Sequence, residues 1–275
     1  MAERSVALVT NVEDFAGPPA VEALVEAGFH VFSHDRSFVD EAARQRYQSS
    51  HPTVQALASQ EPECIVADVL AATGTIHVVV SNDSYPAIVC PVDEASAADL
   101  HATLDALVVM PFRLVGAVVP HFRRFGGGTI VMITSPRAKL PVPGGSIPDA
   151  AREGANALVR SFARELAPFN IAVNAIAPNY FANEMYYPKA RFVDDAEGRA
   201  FVARMVPAGR LGRPAEIAEL VRFLATTNAR FMTGSILDFT GGWPVSPLPP
   251  QPPASSFASD CNELGCTKEG TSVRT

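Results

Sequence analysis

The sequence predicts an α/β chain built on an open, doubly wound parallel sheet with helices on both faces. Three observations carry that expectation. Short runs rich in β-branched residues alternate with longer stretches of helical periodicity. The runs are apolar throughout rather than alternating, as in strands covered on both sides. Of the 275 residues, 48% are apolar and 19% charged, enough to fill a core on two faces.

Taken in order, strands are expected at Val6-Ala7-Leu8-Val9, Phe29-His30-Val31-Phe32, 76–80, 130–133, 171–176 and 236–239. Helices are expected at 18–27, 38–47, 61–73, 95–124, 150–168, 195–205 and 214–227. The clearest is 150–168, where Ala155, Leu158, Val159, Phe162 and Leu166 fall at helical spacing on one face. One domain over 1–245 accounts for all of these elements. The composition then changes. Six prolines crowd 244–253, and Ser, Ala, Asn and Gly dominate the remainder, so 246–275 reads as a disordered tail.

Composition also narrows the partners. The net charge is −7 with no long basic run, which argues against nucleic acid and anionic membrane surfaces. No apolar stretch reaches ~18 residues without a charge or breaker, so no membrane span is expected. Met1-Ala2-Glu3-Arg4 leads straight into a strand-like segment and does not read as a signal peptide. Cys64, Cys90, Cys261 and Cys266 are scattered, with Cys64 and Cys90 in apolar settings, which suits free thiols in a cytoplasmic protein. The six histidines show no metal-ligand spacing, and no metal is expected.

In a Rossmann-like sheet the first strand feeds a glycine-rich turn that brings a pyrophosphate onto a helix N-terminus. Here that turn is Thr10-Asn11-Val12-Glu13-Asp14-Phe15-Ala16-Gly17-Pro18-Pro19, with a single glycine. Phe15 adds bulk, Glu13 and Asp14 add negative charge, and Pro18 and Pro19 remove two amide donors. All of this disfavours a dinucleotide. Asp35, past the second strand, then reads as a structural hydrogen-bonding residue.

Several further segments resemble the short-chain dehydrogenase/reductase superfamily: Ser81-Asn82-Asp83, Ile133-Thr134-Ser135, Ala177-Pro178-Asn179, Thr233-Gly234, Asp238 and Gly241-Gly242. Within it, the lost glycine turn, His34-Asp35 and Ala177-Pro178-Asn179-Tyr180 are similar to the halohydrin dehalogenases. The resemblance implies a cofactor-free lyase that converts vicinal halohydrins to epoxide and halide, and opens epoxides with small anions. It implies Ser135 as the serine that holds the substrate oxygen and Arg152 as the charge that activates the base. Phe15, Pro178, Asn179, Tyr180, Phe181 and Tyr187 match the residues that bind substrate and halide. The resemblance also implies a homotetramer assembled through the helices at 95–124 and 150–168.

One match is missing. The tyrosine that serves these enzymes as base should lie four residues before Arg152, and Pro148 stands there. Proline has no ionisable group, though it fits a helix's first turn. Asp149, Tyr85, Tyr180, Tyr186 and Tyr187 remain as substitutes. Two other readings stay open: an NAD(P)-dependent reductase, against which Asn11, Phe15, Arg152 and Leu107 (where a proton-relay asparagine belongs) all count, and a non-catalytic binding protein.

Overall fold

The computed structural model describes residues 4–244. The tail expected at 246–275, with Cys261 and Cys266, lies outside the described residues. Seven parallel strands form one sheet in the order β3-β2-β1-β4-β5-β6-β7. They are β1 (Val6–Val9), β2 (His30–Ser33), β3 (Val54–Ala56), β4 (Val78–Asn82), β5 (Gly128–Ile133), β6 (Ile171–Pro178) and β7 (Ile236–Phe239). The sequence pattern misses β3, since Val54-Gln55-Ala56 at the sheet edge is too short to carry a period.

Eight α-helices cover the faces: α1 (Gly17–Glu26), α2 (Glu41–Ser50), α3 (Pro62–Thr73), α4 (Ala97–Leu104), α5 (Met110–Phe125), α6 (Ser146–Leu166), α7 (Ala196–Met205) and α8 (Pro214–Thr226). Successive strand side chains point to opposite faces. Ala7 and Val9 therefore pack with Ala20, Leu24 and Val221 on the α1–α8 side. Leu8 packs with Val118, Phe122 and Val159 on the α3–α5–α6 side. Both faces are dry, which is why the strands lack alternation.

Three expectations change in detail. The helix expected at 95–124 is a continuous rod with a π-helical turn at Asp105–Val109 between α4 and α5. At 97–125 it is long and apolar enough to cross a membrane, yet Leu114, Val115, Val118 and Phe122 build one of its faces into the core. Helix α6 starts at Ser146, four residues early, and buries Ala151, Ala155, Val159, Ala163 and Leu166, with Leu158 and Phe162 only half-buried. Cys64 is exposed on α3, not in the apolar setting expected of it, because its neighbours Ile65 and Val66 take the inward face.

The strand order reverses between β1 and β4, which each run to the same end of the sheet. In such sheets the crevice outside the strand carboxyl ends is where ligands bind. Here the ends of β1, β4, β5 and β6 deliver Thr10, Asn82, Ser135 and Pro178 to that crevice.

Candidate functional site

The β1–α1 loop lies over β4, and Asn82 holds it there. The Asn82 side chain accepts from the Ala16 N–H (3.3 Å) and donates to the carbonyls of Asn11 (2.7 Å) and Asp14 (2.9 Å). So anchored, the loop carries Asn11 and Phe15 at φ +49° and +54°. A bulky residue in the left-handed region is strained, and such strain concentrates where function needs it. Gly17 closes the loop. A Cβ there would meet the Asn11 carbonyl oxygen at 2.4 Å, so only glycine fits.

Phe15 points into a small cavity of about 90 Å³. Its ring meets Phe181 and Tyr186 edge-to-face, with centroids 6.1 and 5.2 Å apart. Ser135, Pro148, Arg152, Pro178, Asn179 and Tyr187 line the same space. Seven of the eight candidate residues therefore converge. Tyr180 does not: at φ +51° its ring turns away to pack on Tyr187, Phe201 and Trp243, so it backs the wall rather than lining it. The path of the 178–187 loop, which has no regular repeat, decides which aromatics face in.

Helix α6 explains the Pro148–Arg152 pair. Residues four apart lie on one helical face, so both reach the cavity, while Asp149 is turned aside and pairs with Arg137. Asp149 is thereby tied up at the rim. Pro148 sits in the first turn, where its missing N–H has no helical partner to lose. Arg152 is 5% exposed, and its guanidinium is fixed from three sides. Nη1 donates to the Asp83 carbonyl (2.9 Å), Nη2 donates to the Tyr186 hydroxyl (3.3 Å), and the group lies 5.7 Å from the Phe15 ring centre. Ser135 follows β5, and its carbonyl accepts from Asn156 Nδ2 (3.0 Å).

Two residues outside the sequence-derived set shape the electrostatics. Tyr186, by sequence one of several substitute bases, touches the guanidinium; sequence alone cannot say which of two adjacent tyrosines does so. Asp83 is buried beneath Arg152 and accepts from Ser81 Oγ (2.7 Å). Burial pushes its carboxyl up to about 6, against the opposing pull of the Ser81 hydrogen bond and the Arg152 charge. A buried acid whose pKa is raised by folding holds its proton more tightly in the folded chain than in the unfolded one. Stability should therefore fall as pH rises from about 4 to about 6, by on the order of 3 kcal/mol from this group. We expect Asp83→Asn to remove that slope in urea unfolding curves between those pH values. An unchanged slope would assign the titration elsewhere.

A nicotinamide dinucleotide is the group this fold class implies, and the residues present do not fit one. Of the loop amides that would cradle its phosphates, Val12 N–H donates to the His34 carbonyl, Glu13 N–H to Asp35, Ala16 N–H to Asn82 and Gly17 N–H to the Asp14 carbonyl. Both Asp35 oxygens are occupied by backbone amides, Glu13 on one and Ser37 on the other. Glu13 itself accepts from Ser37 Oγ (2.7 Å), tying the two loops together. Phe15, Phe181 and Tyr186 fill the inner end. A cleft of about 430 Å³ remains open beyond, beside Asn11, His34 and Arg36.

Comparison with known proteins places this architecture. Residues 17–244 match the enoyl-(acyl carrier protein) reductase family model. A relative from Thauera aromatica, a subunit of (2S)-[(R)-hydroxy(phenyl)methyl]succinyl-CoA dehydrogenase, is 33% identical over 244 residues, covering 86% of this chain and 93% of its own. Among solved structures, a halohydrin dehalogenase bound to ethyl (2S)-oxiran-2-ylacetate is 34% identical with a TM-score of 0.87, covering 90% of this chain and 100% of its own. A second, described as a dehalogenation enzyme, is 36% identical with a TM-score of 0.83, covering 88% and 98%. The match over nearly all the described residues, together with the seven-stranded parallel sheet, shows that this chain belongs to the short-chain dehydrogenase/reductase superfamily.

Proposed function

We propose that the chain is a cofactor-independent carbon–halogen lyase that closes small vicinal halohydrins to epoxides and opens epoxides with small anions. One observation carries the reading: the rings of Phe15, Phe181 and Tyr186 crowd together and leave a cavity of only about 90 Å³, lined also by Ser135 and Arg152. Its size suits a molecule of a few heavy atoms. Ser135 Oγ–H holds the substrate oxygen. Arg152 supplies positive charge where the oxygen loses its proton. The halide departs toward Phe15, Pro178 and Asn179, where apolar walls and an amide donor suit a weakly hydrated anion. Asn179 Oδ1 already accepts from Tyr187 (2.8 Å) and from the Tyr180 N–H (3.0 Å), so its nitrogen is the end left to donate. The two dehalogenation enzymes of similar structure support the reading.

The open 430 Å³ cleft beside His34 and Arg36 favours a second reading, an NAD(P)-dependent oxidoreductase, and the Thauera relative is named a dehydrogenase subunit. Two measurements separate them. Under the lyase reading, a small halohydrin yields free halide without added coenzyme, and NADH and NADPH show no micromolar affinity. Tight coenzyme binding with no halide release would replace it with the second. A homotetramer forms part of the proposal, since Val109 at the end of the π-turn and Phe112 on α5 are exposed, with Phe112 beside Phe162 of α6. Sedimentation gives its mass.

A further inference from the structure

Ring closure needs a proton acceptor, and position 148 has none. Resting on the lyase reading, we infer that Tyr186 is the catalytic base, entering from the loop after β6 to stand where the helix α6 residue is absent.

The chain has five tyrosines, and their surroundings separate them. Tyr47 packs under β2 with its hydroxyl on Ser33. Tyr180 faces Trp243. Tyr187 lines the cavity but donates to Asn179, and burial pushes its phenol up, away from use as a base. Tyr85 also lines the cavity, but it meets Tyr186 through its backbone and its own phenol has no guanidinium beside it among the hydrogen bonds of the described residues. Among the described residues, Tyr186 alone sets a phenol oxygen against a guanidinium. Arg152 Nη2 donates to it at 3.3 Å and the Tyr85 N–H at 3.2 Å, while the hydroxyl donates to the Tyr85 carbonyl at 2.7 Å. A phenolate at this oxygen gives up its bond to the Tyr85 carbonyl and keeps two donors facing it, one of them charged. Phe15 fixes the ring edge-to-face, and the compact Pro148 ring leaves the opposite wall clear.

The step balances without a redox partner. The substrate hydroxyl, held by Ser135, gives its proton to the Tyr186 phenolate. The freed electron pair on oxygen forms a new bond to the adjacent carbon. The carbon–halogen bond breaks, and halide leaves with the bonding pair. Neutral Tyr186 then returns its proton to water.

Halide release from a small vicinal halohydrin is measured for the full chain and for Tyr186→Phe, Pro148→Tyr and the double variant, with the thermal midpoint of each. We expect activity in the parent. In Tyr186→Phe, kcat should fall by about 10²–10⁴-fold with little change in KM, and the double variant should regain rate from its tyrosine at 148. Replacing Tyr186 by 3-fluorotyrosine, a stronger acid of nearly the same shape, should move the rising limb of the pH profile to lower pH. Tyr186→Phe activity within threefold of the parent, or an unmoved limb, overturns the inference and leaves the lyase reading standing. A silent parent beside an active Pro148→Tyr overturns both the inference and the lyase reading of the parent chain, leaving a scaffold that lacks only its base. Silence in both overturns the two together.

Discussion

Arg152→Met is expected to cost about 10²–10⁴-fold in halide release, the range for losing the group that enables acid–base chemistry. Methionine keeps the length and much of the volume of the side chain but has no charge and no donors. The Tyr186 oxygen then loses its cation, and the Asp83 carbonyl loses a buried partner at 2.9 Å. An unpaired buried acceptor costs roughly 1–3 kcal/mol, so the unfolding midpoint should also fall. The Asp83 carboxyl, deprived of the one nearby guanidinium that touches its residue, should titrate higher still. Arg152→Lys retains the charge but cannot serve Asp83 and Tyr186 at once from a planar fork. Its rate should fall between parent and Arg152→Met. The measurements are steady-state halide release and a urea melt. Arg152→Met within threefold of the parent would show that the guanidinium is only a structural prop.

Asn82→Ala should give the largest loss of stability among site residues. Asn82 is fully buried, and three of its side-chain hydrogen bonds reach across to the β1–α1 loop. Each contributes about 0.5–1.5 kcal/mol net, and the partners stranded in a dry setting add to that. The expected fall is about 3 kcal/mol, read from chemical unfolding. The more telling readout is local. Phe15 keeps φ +54° only while its loop is held down, so hydrogen exchange at 12–17 should accelerate more than at the sheet core. Equal protection in parent and variant would mean the loop is held by Phe15 packing alone.

The superfamily's sequence relatives and the structural neighbours name different chemistries, and the site shows why both can hold. The fold rests on the sheet and the helices packed on it, where Val9, Val80, Val131 and Ile176 answer only to burial. The chemistry rests on a few loop positions. Under the lyase reading, Phe15 on the glycine-poor loop, Arg152 and the aromatics after β6 change the ligand without disturbing the core.

Sequence alone determined the alternating architecture and every strand but β3 to within two residues, while the grouping of Ser135, Arg152, Phe15 and Phe181 came from the family resemblance and their shared cavity from the structure. Burial on both faces leaves an unbroken apolar run, helical spacing puts positions 148 and 152 on one face, and lost glycines disfavour close approach of a phosphate; each is a local rule written in local residues. The short edge strand at Val54, the π-turn at Asp105–Val109 and the inward choice of Tyr186 over Tyr180 were decided only in three dimensions. An edge strand exists because β2 offers it a partner, and a loop aromatic turns inward because Arg152, Tyr85 and Phe15, distant in the chain, leave one place for its ring and hydroxyl.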